Sequence, residues 1–368
     1  MELAENLVSL GCEIHVISRR VRKEDARVEK INGITVHRVY RWIVKPETRF
    51  SFTTSSEDIQ QSRLISRLYY LYLLTIFRVY VSFICSRIIS REKLNLIVER
   101  ETSFGAGALA SLFTGIPLIL EIVGPRYSRL SAWRSTRIFY YTESMLRGWV
   151  DRGKCVSVPA GVNLTLFRKD EQLGKICRER LGMNSSVFVI GYVGTFQDWH
   201  GIQDLVTALV ALKKIHSVKA LLVGPGYERY EEISKSKGLE NVCLFTGPVD
   251  YREVPGYINA CDLMVALYNP NANALRKKYG IGSPIKVLEY MACGKPVIST
   301  RVKPIDQVVH ENKDGILVEP GNPSEVEKCI RDLLSNPAKQ LELGENGKQL
   351  VASKYSWNSV ALAMLSYF

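Results

Sequence analysis

The sequence predicts an α/β protein built from two doubly wound domains, and three observations support this prediction. The chain has 368 residues, which is enough for two α/β domains of ordinary size. Short runs of β-branched residues alternate with segments of helical periodicity, a pattern typical of parallel sheets covered by helices on both faces. Two sets of such runs are separated near residues 159–167, where we expect the domain boundary.

The predicted elements follow one another along the whole chain. Helical periodicity is clearest in residues 2–10, 201–215 and 322–334. The predicted strands are residues 13–18, 35–40, 94–99, 117–122 and 154–158 in the first half, and 187–193, 218–223, 242–245, 263–267, 296–299 and 315–318 in the second. Because the chain opens in a helix that leads into a strand, we expect the first strand of the N-terminal domain to be missing. Ligands bind such sheets at the carboxyl ends of their strands, so we expect the site in a cleft between two facing domains.

Composition and charge narrow the range of functions. Hydrophobic residues make up 46% of the chain and charged residues 23%, as in a folded globular protein. The eight cysteines lack metal-ligand spacing, which predicts reduced thiols in the cytoplasm and no structural metal. Residues 1–160 carry 24 basic and 15 acidic residues, so +9 of the net charge of +12 lies in the first half. Such a surface suits anionic lipid or a phosphorylated acceptor, whereas the sequence offers no motif for a nucleic-acid partner.

The longest apolar stretch covers residues 64–89 and is interrupted by Arg67, Arg78 and Arg87. An arginine at the centre of a bilayer costs at least ~2.5 kcal/mol, so we expect no membrane-spanning segment here. Two interpretations stay open. The stretch is either a buried helix of the first domain, which we favour, or a helix in a bilayer interface with its arginines extended towards water.

The strongest local signal is the segment Ser-Pro-Ile-Lys-Val-Leu-Glu-Tyr-Met-Ala-Cys-Gly-Lys-Pro, residues 283–296. Ser283 is suited to be an N-cap, Pro284 to the first helical turn and Gly294 to the end of the helix. The free amides of a helix start, together with the charge of Lys286, can hold a diphosphate. Glu289 lies three residues further on the same face and can accept hydrogen bonds from two ribose hydroxyls. An ordinary capped helix with a Lys–Glu pair remains an equal alternative on these residues alone.

This segment resembles the donor-binding helix of the family 4 retaining glycosyltransferases, which have the two-domain GT-B fold. Further landmarks of that family follow in the same order, and they include the branch-specific Trp-His-Gly and Ser-Pro-x-Lys motifs. These landmarks are residues 159–167 (Pro-Ala-Gly-Val-Asn-Leu-Thr-Leu-Phe), 191–201 (Gly-Tyr-Val-Gly-Thr-Phe-Gln-Asp-Trp-His-Gly), 221–226 (Leu-Leu-Val-Gly-Pro-Gly), 245–249 (Phe-Thr-Gly-Pro-Val), 254–262 and 355–357 (Tyr-Ser-Trp). The likeness covers nearly the whole chain and is strongest from residue 154 onward.

The resemblance implies an acceptor-side domain (1–160), a nucleotide-sugar domain (161–352) and a last helix (353–368) that crosses back to the first domain. It implies transfer of a sugar, with retention, from a nucleoside diphosphate sugar to a hydroxyl of a glycan or lipid-linked acceptor. No metal or other cofactor is implied, and the expected location is the cytoplasm, with peripheral contact at the inner face of an anionic membrane. Lys286 and Glu289 are the implied catalytic residues. The implied donor-binding residues are Gly194, Thr195, His200, Gly224, Val249, Ser283, Pro284, Ile285, Lys286, Val287 and Glu289.

Four positions depart from the family pattern. Ile281 stands where the family has a second glutamate, and Val123 stands where it has an active-site histidine. Thr195 and His200 replace an arginine and a lysine, so we expect Lys286 to supply the missing phosphate charge. These departures leave open a catalytically silent donor-binding or scaffold protein. A sugar-nucleotide epimerase is a further alternative, although it needs paired carboxylates or a histidine that the sequence does not offer in the cleft.

Several other residues have two interpretations. His200 either contacts phosphate or is simply a surface loop residue, and residues 99–101 (Glu-Arg-Glu) either contact an acceptor or form a solvated or ion-paired strand end. Four arginines either meet acceptor phosphate or lipid headgroups, or form a solvated helix face; they are Arg126, Arg129, Arg134 and Arg137. Gly105 and Gly107 imitate a dinucleotide-binding fingerprint, but they do not follow their strand directly, so close helix–sheet packing is the better explanation.

Overall fold

A computed structural model describes residues 2–19, 25–39, 71–100, 104–124, 126–215 and 217–367. The chain divides into two compact units, Met1–Val158 and Pro159–Phe368. The last helix belongs to the second unit. The predicted limits 1–160, 161–352 and 353–368, and the crossing of the last helix to the first domain, stay predictions.

The secondary structure alternates between strands and helices, as the sequence predicts. The strands of the described residues are β1 His15–Arg19, β2 Val28–Ile31, β3 Ile34–Val39, β4 Ile97–Arg100, β5 Leu118–Ile122, β6 Arg137–Tyr140, β7 Cys155–Ser157, β8 Phe188–Val193, β9 Val218–Val223, β10 Cys243–Gly247, β11 Leu263–Ala266, β12 Val297–Thr300 and β13 Ile316–Val318. The α-helices are α1 Glu2–Ser9, α2 Arg78–Glu92, α3 Ala106–Thr114, α4 Arg129–Arg134, α5 Glu171–Arg180, α6 Ile202–Leu212, α7 Glu228–Ser236, α8 Val254–Asn259, α9 Ala274–Tyr279, α10 Ile285–Ala292, α11 Pro323–Leu334, α12 Pro337–Leu350 and α13 Trp357–Leu365.

The second unit contains one six-stranded parallel sheet in the order β10-β9-β8-β11-β12-β13. Its strands are apolar on both faces because helices cover both sides, and all except the edge strand β10 are buried along most of their length. β8 pairs with β9 on one side and with β11 on the other, so the strand order reverses next to β8. In doubly wound sheets such a switch point is where ligands bind, at the carboxyl ends of the strands.

The described strands of the first unit form two sheets. One has the order β1-β3-β2, in which β2 is antiparallel, and the other is the parallel sheet β4-β5-β6-β7. The chain opens with α1 followed by β1, as predicted. The strands β2 and β6 were not predicted. β2 is largely exposed and lacks an apolar run, but Asn32 and Gly33 have positive φ angles and form the tight turn that joins it to β3.

The helix α2 is buried on one face only. The prediction of a buried helix in residues 64–89 is therefore wrong for its other face. Residues 64–70, including Arg67, lie outside the described residues. In the described part, Ile88 and Ile89 are buried, whereas Val79 and Phe83 are exposed on the other side of the helix. Apolar residues occur all around the helix, and only those on one side of the helix are buried in the core. Among the described residues, no helix is long and apolar enough to cross a membrane.

Glu99 has a structural role that the sequence did not predict. Its side chain is buried and accepts hydrogen bonds from the backbone N–H groups of Gly105 (2.9 Å) and Ala108 (2.8 Å) and from the Ser131 hydroxyl (3.0 Å). A Cβ on Gly107 would lie 2.9 Å from a Glu99 carboxylate oxygen. The glycine therefore allows close packing of α3 on the strand end, as predicted, and the carboxylate anchors the start of that helix.

Arg100, the next residue of the strand, is ion-paired, in line with one of the two interpretations that the sequence left open. The Arg100 guanidinium donates two hydrogen bonds of 2.9 Å to the buried carboxylate of Glu121. The Tyr141 hydroxyl donates a further one to Glu121 at 2.6 Å, and burial raises the pKa of Tyr141, with the Glu121 charge adding to the shift. Glu101, the third residue of this group, lies outside the described residues.

We predict that Glu99→Ala lowers the free energy of unfolding by ~2–3 kcal/mol, because it leaves two buried amides and a hydroxyl without their acceptor. Urea denaturation followed by circular dichroism measures this change. Glu143→Ala is the control, since Glu143 is exposed and its substitution should change the unfolding free energy by less than ~0.5 kcal/mol. Equal effects of the two substitutions would contradict the anchoring role of Glu99.

Candidate functional site

The predicted ligand-binding helix is present as α10, but its start differs from the prediction. Ser283 is not the N-cap. The N-cap residue is Pro284 (φ −83°, ψ 40°), and the helix begins at Ile285. The Ser283 hydroxyl is buried and has no hydrogen-bond partner among the described residues. A buried hydroxyl without a partner is costly, and a ligand at the helix start would provide one.

Tyr290 fixes α10 against the end of β8. Its hydroxyl donates to the carbonyl of Val193 and accepts from the N–H of the same residue, both at 2.8 Å. Tyr290 is fully buried, so this attachment is protected from water. Because Lys286 lies four residues earlier on the same helical face, the attachment brings its side chain to the carboxyl end of β8.

Two glycines leave room for the lysine at the strand ends. Gly194 has φ +153° and Gly224 has φ +135°, and they follow β8 and β9 directly. A Cβ on Gly194 would lie 2.8 Å from the Lys286 Nζ, and a Cβ on Gly224 would lie 2.0 Å from the Gly194 carbonyl oxygen. A side chain at Gly194 would meet the Lys286 ammonium, and one at Gly224 would meet the backbone of Gly194, so both positions favour glycine.

The ammonium of Lys286 is held between aromatic rings. Its Nζ donates to the Tyr192 hydroxyl at 3.2 Å and lies 4.8 Å from the centroid of the Tyr192 ring and 5.4 Å from that of Tyr268. The residue as a whole is partly exposed, but burial of the ammonium lowers the pKa of Lys286 to about 7, against the opposing effect of the Glu289 charge. This lysine therefore changes its charge near neutral pH.

His200 is buried next to Tyr192, one of the two rings that hold the Lys286 ammonium. Its Nδ1 donates to the carbonyl oxygen of Thr195, which also accepts from the Tyr192 hydroxyl at 2.6 Å. Burial lowers the pKa of His200 to about 3, and the charges of Lys286 and Arg276 contribute, whereas the bond to Thr195 opposes the shift. The imidazole is neutral at physiological pH and holds the loop after β8 in place. Contact of His200 with phosphate stays a prediction.

A second cation near this site was not predicted. The guanidinium of Arg276, on α9, lies 4.1 Å from the centroid of the Trp199 ring. The positive charge of Arg276 acts on His200 and contributes to the lowered pKa of that residue. The sequence shows only a basic run in residues 276–278, and the stacking on Trp199 joins parts of the chain that are far apart in sequence.

Glu289 lies one turn after Lys286 and meets a residue from another loop. Its side chain is buried, with 8% relative exposure, and its Oε1 accepts a hydrogen bond of 2.9 Å from the Tyr251 hydroxyl. Tyr251 is 51% exposed, and its ring packs 5.5 Å from that of Phe167. Tyr251 lies in the turn after β10, two residues after the half-buried Val249. The carboxylate therefore lies just beneath a surface tyrosine that sequence analysis missed.

The predicted residues thus fall into two neighbouring groups in the second unit. Tyr192 and Tyr268 surround the lysine at the ends of β8 and β11, and Tyr251 caps the carboxylate. Ile281 is buried, and Thr195 is exposed with its carbonyl engaged by His200. Val123 belongs to the first unit. The expected arrangement can bind an anion at Lys286 and hydroxyl groups at Glu289, one helical turn apart.

Among the described residues, one group of side chains has the composition of a metal site. Glu13, His15 and Glu92 offer ligand atoms within 4.8 Å of one another, in the first unit. The His15 Nε2 lies 3.0 Å from Glu13, and its Nδ1 lies 3.0 Å from the Nε2 of His37, so ordinary hydrogen bonds engage both nitrogens of the His15 ring. The expectation that the reaction needs no metal or other cofactor stays a prediction.

Comparison with protein families identifies one region. Residues 175–350 match the family described as "Glycosyl transferases group 1". An uncharacterized glycosyltransferase of Methanocaldococcus jannaschii is 29% identical over 169 residues, which cover 45% of this chain and 41% of that protein. The chain spans about half the length, or less, of the first curated relatives that it matches.

Several solved structures have a fold similar to that of this chain. Sucrose-phosphate synthase from Thermosynechococcus elongatus has a TM-score of 0.68 and 19% identity, covering 100% of this chain and 90% of that one. HepE of Anabaena in complex with UDP has a TM-score of 0.64 and 19% identity, covering 77% of this chain and 80% of that one. The chain has the GT-B fold, with its parallel sheets in two units, as the sequence resemblance implied.

We predict that Lys286→Met stabilises the protein near neutral pH and below. The lysine has its ordinary pKa of 10.5 in the unfolded chain and a pKa of about 7 in the folded one, so the unfolded chain binds more protons between these pH values. The buried charge therefore lowers the free energy of unfolding by its full amount below pH ~7. This loss of stability disappears as the pH rises from ~7 to ~10.5. The variant should gain roughly 1–3 kcal/mol at pH 6.5 and nothing at pH 10.5.

Thermal unfolding of both proteins across this pH range measures the difference. Lys214→Met is the control, because Lys214 is exposed and its substitution should leave the pH profile unchanged. A constant difference between wild type and Lys286→Met at every pH would contradict the lowered pKa.

Proposed function

We propose, because residues 175–350 form a glycosyl transferases group 1 domain, that this protein is a retaining glycosyltransferase. It takes a sugar from a nucleoside diphosphate sugar and transfers it to a hydroxyl of a glycan or lipid-linked acceptor. The observation that carries the proposal is the placement of one cation and one carboxylate on successive turns of α10, at a switch point of the sheet.

The diphosphate subsite lies at the start of α10. The amides of a helix start point outward and attract anions, and Lys286 adds a full charge when it is protonated. Gly194 places no side chain against the Lys286 Nζ, and the buried Ser283 hydroxyl offers a further hydrogen bond. Arg276 supplies a second positive charge nearby, in place of the arginine and lysine that the family has at Thr195 and His200.

The ribose subsite lies at Glu289. A carboxylate can accept hydrogen bonds from two adjacent hydroxyls. One helical turn separates Glu289 from Lys286, the residue that meets the phosphates. Tyr251 already donates to one of the Glu289 carboxylate oxygens. Because Tyr251 is exposed, we infer that its hydroxyl moves aside for the ribose or keeps the carboxylate oriented towards it. The complex of Anabaena HepE with UDP, on a similar fold, supports UDP as the first nucleotide to test.

Charge develops in two places during the proposed transfer. The anomeric carbon becomes positive, and the departing diphosphate becomes negative. Lys286 and the helix start stabilise the diphosphate, which is an electrostatic contribution of the oxyanion-hole kind. The acceptor attacks from the face that the diphosphate leaves, and a phosphate oxygen of the leaving group takes the acceptor proton. The protein supplies positioning and charge in this mechanism.

The departures from the family pattern favour one alternative. Ile281 is buried and apolar where the family has a glutamate, so a group that touches the donor sugar is missing. A catalytically silent donor-binding protein would keep the diphosphate and ribose subsites and lose only the transfer. Binding and turnover must therefore be measured separately.

We predict that substitutions on α10 separate the two subsites. Lys286→Met should weaken UDP binding ~10–100-fold and leave uridine binding unchanged, since the ammonium meets only phosphate. Glu289→Gln should weaken both ligands ~10-fold or more, because both contain the ribose. Titration calorimetry at pH 6.5, where Lys286 is charged in the free protein, measures these affinities.

Two matched variants control for loss of folding. Lys295 is another lysine with a pKa lowered by burial, and its Nζ donates to the Asn259 carbonyl; Asp314 is another buried carboxylate. Lys295→Met and Asp314→Asn should bind UDP like the wild type. If neither α10 substitution changes binding of any nucleoside diphosphate that the wild type binds, the assignment of the site is wrong.

We predict that radiolabelled nucleotide sugars incubated with the protein and a membrane extract give a labelled glycan or lipid product. The anomeric configuration of the product, measured by nuclear magnetic resonance, should be that of the donor. Lys286→Met should reduce the rate ~100-fold or more, because it removes charge stabilisation of the leaving group. Normal UDP binding without any transfer by the wild type would favour the silent alternative.

A further inference from the structure

The residues around α2 carry an exposed apolar stripe. Ile76, Val79 and Phe83 are 60%, 52% and 58% exposed, and their spacing of three and four residues places Val79 and Phe83 on one face of the helix. Leu71 is also exposed, at 58%. The opposite face is in the core, where Ile89 packs with residues of β4 and α3. The stripe is therefore a surface feature of a helix that is otherwise well anchored.

The helices packed next to α2 also carry exposed apolar side chains. The helices α2, α3 and α4 pack side by side, and the Ser82 hydroxyl of α2 donates to the Ala106 carbonyl of α3 at 2.8 Å. Phe113 on α3 and Trp133 on α4 are 65% and 67% exposed. Ile76 lies just before α2, and the other exposed apolar residues lie on these three packed helices; together we call them the outer helical face: Ile76, Val79, Phe83, Leu112, Phe113 and Trp133.

Basic side chains accompany these apolar groups. The Arg87 guanidinium is exposed and lies 5.8 Å from the Phe83 ring centroid, one turn away on α2. Arg134 and Lys154 line a shallow hollow with Leu112 and Trp133, and both donate to backbone carbonyls of the neighbouring elements. The described part of α2 has a single acidic residue, Glu92, which pairs with Arg91. The first half of the chain, residues 1–160, has a net charge of +9.

We propose that the outer helical face docks on the surface of an anionic phospholipid bilayer. Aromatic and branched side chains enter the boundary between headgroups and acyl chains, and the flanking arginines and lysine meet lipid phosphates. The charge favours this occupant over a second copy of the chain, because two faces of the same positive sign repel each other. The proposal does not depend on the donor site of the second unit.

The test is sedimentation of the full chain with vesicles. One set of vesicles mixes phosphatidylcholine with phosphatidylglycerol, and the other contains phosphatidylcholine alone. The wild type should bind the anionic vesicles at least ~10-fold more tightly, and binding should fall with salt. The double variant Val79→Ser/Phe83→Ser should lose ~10-fold or more of the binding to anionic vesicles, and Arg87→Glu should also weaken it.

Matched controls lie in the second unit. Ile176 and Leu341 are 52% and 64% exposed, so Ile176→Ser/Leu341→Ser removes apolar surface comparable to that of Val79→Ser/Phe83→Ser. Lys214 is exposed, and Lys214→Glu replaces a positive charge by a negative one, as Arg87→Glu does. These control variants should bind vesicles like the wild type. Titration with UDP keeps this test separate from the proposed function, since the vesicle-binding variants should retain their affinity for the nucleotide.

Three results would overturn the proposal. The first is that the wild type sediments no more with anionic vesicles than without them. The second is that the control variants and the variants of the outer helical face lose binding equally. The third is that ultracentrifugation detects a dimer that Val79→Ser/Phe83→Ser dissociates, which would identify this face as an interface between copies of the chain.

Discussion

The candidate site depends on one physical constraint, which is the enclosure of the Lys286 ammonium between Tyr192 and Tyr268. A charge in such surroundings is costly, and the protein responds by lowering the pKa of the lysine to about 7. The same enclosure makes the lysine effective, because an anion that reaches it meets a charge poorly screened by water. The free protein therefore carries a cost at this point that an anionic ligand would offset.

The surrounding residues can be understood as support for this lysine. Tyr290 attaches α10 to β8, so the helix cannot withdraw the lysine from the strand ends. Gly194 keeps a side chain away from its ammonium, and Gly224 leaves room for the backbone of Gly194. His200, neutral because it is buried, adds no charge and ties the Thr195 carbonyl. The fold thus supplies rigidity from buried contacts and leaves the exposed side of the lysine open to a ligand.

Much of the fold follows from local sequence patterns, because buried parallel strands need continuous apolar runs and helices need a 3.6-residue period. The predicted strand at residues 187–193, for example, matches Phe188–Val193, and Lys286 and Glu289 lie on one helix as expected. Local patterns fail where the outcome depends on the rest of the chain. The exposed strand β2 has no apolar run, and the apolar pattern of α2 does not reveal which face the core will cover. Tyr251 contacts Glu289 from the turn after β10, and Arg276 stacks on Trp199 from α9; spacing along the chain cannot indicate either contact.

The most direct test of this account is the uptake of protons when the protein binds UDP. A diphosphate next to Lys286 should raise its pKa, so a fraction of the free protein that lacks the proton must gain it on binding. Calorimetric titrations at pH 8 in buffers of different ionisation enthalpy count these protons. We expect uptake approaching one proton per UDP for the wild type and a clear decrease for Lys286→Met. Tight binding with the same proton uptake in both proteins would contradict the central role of this lysine.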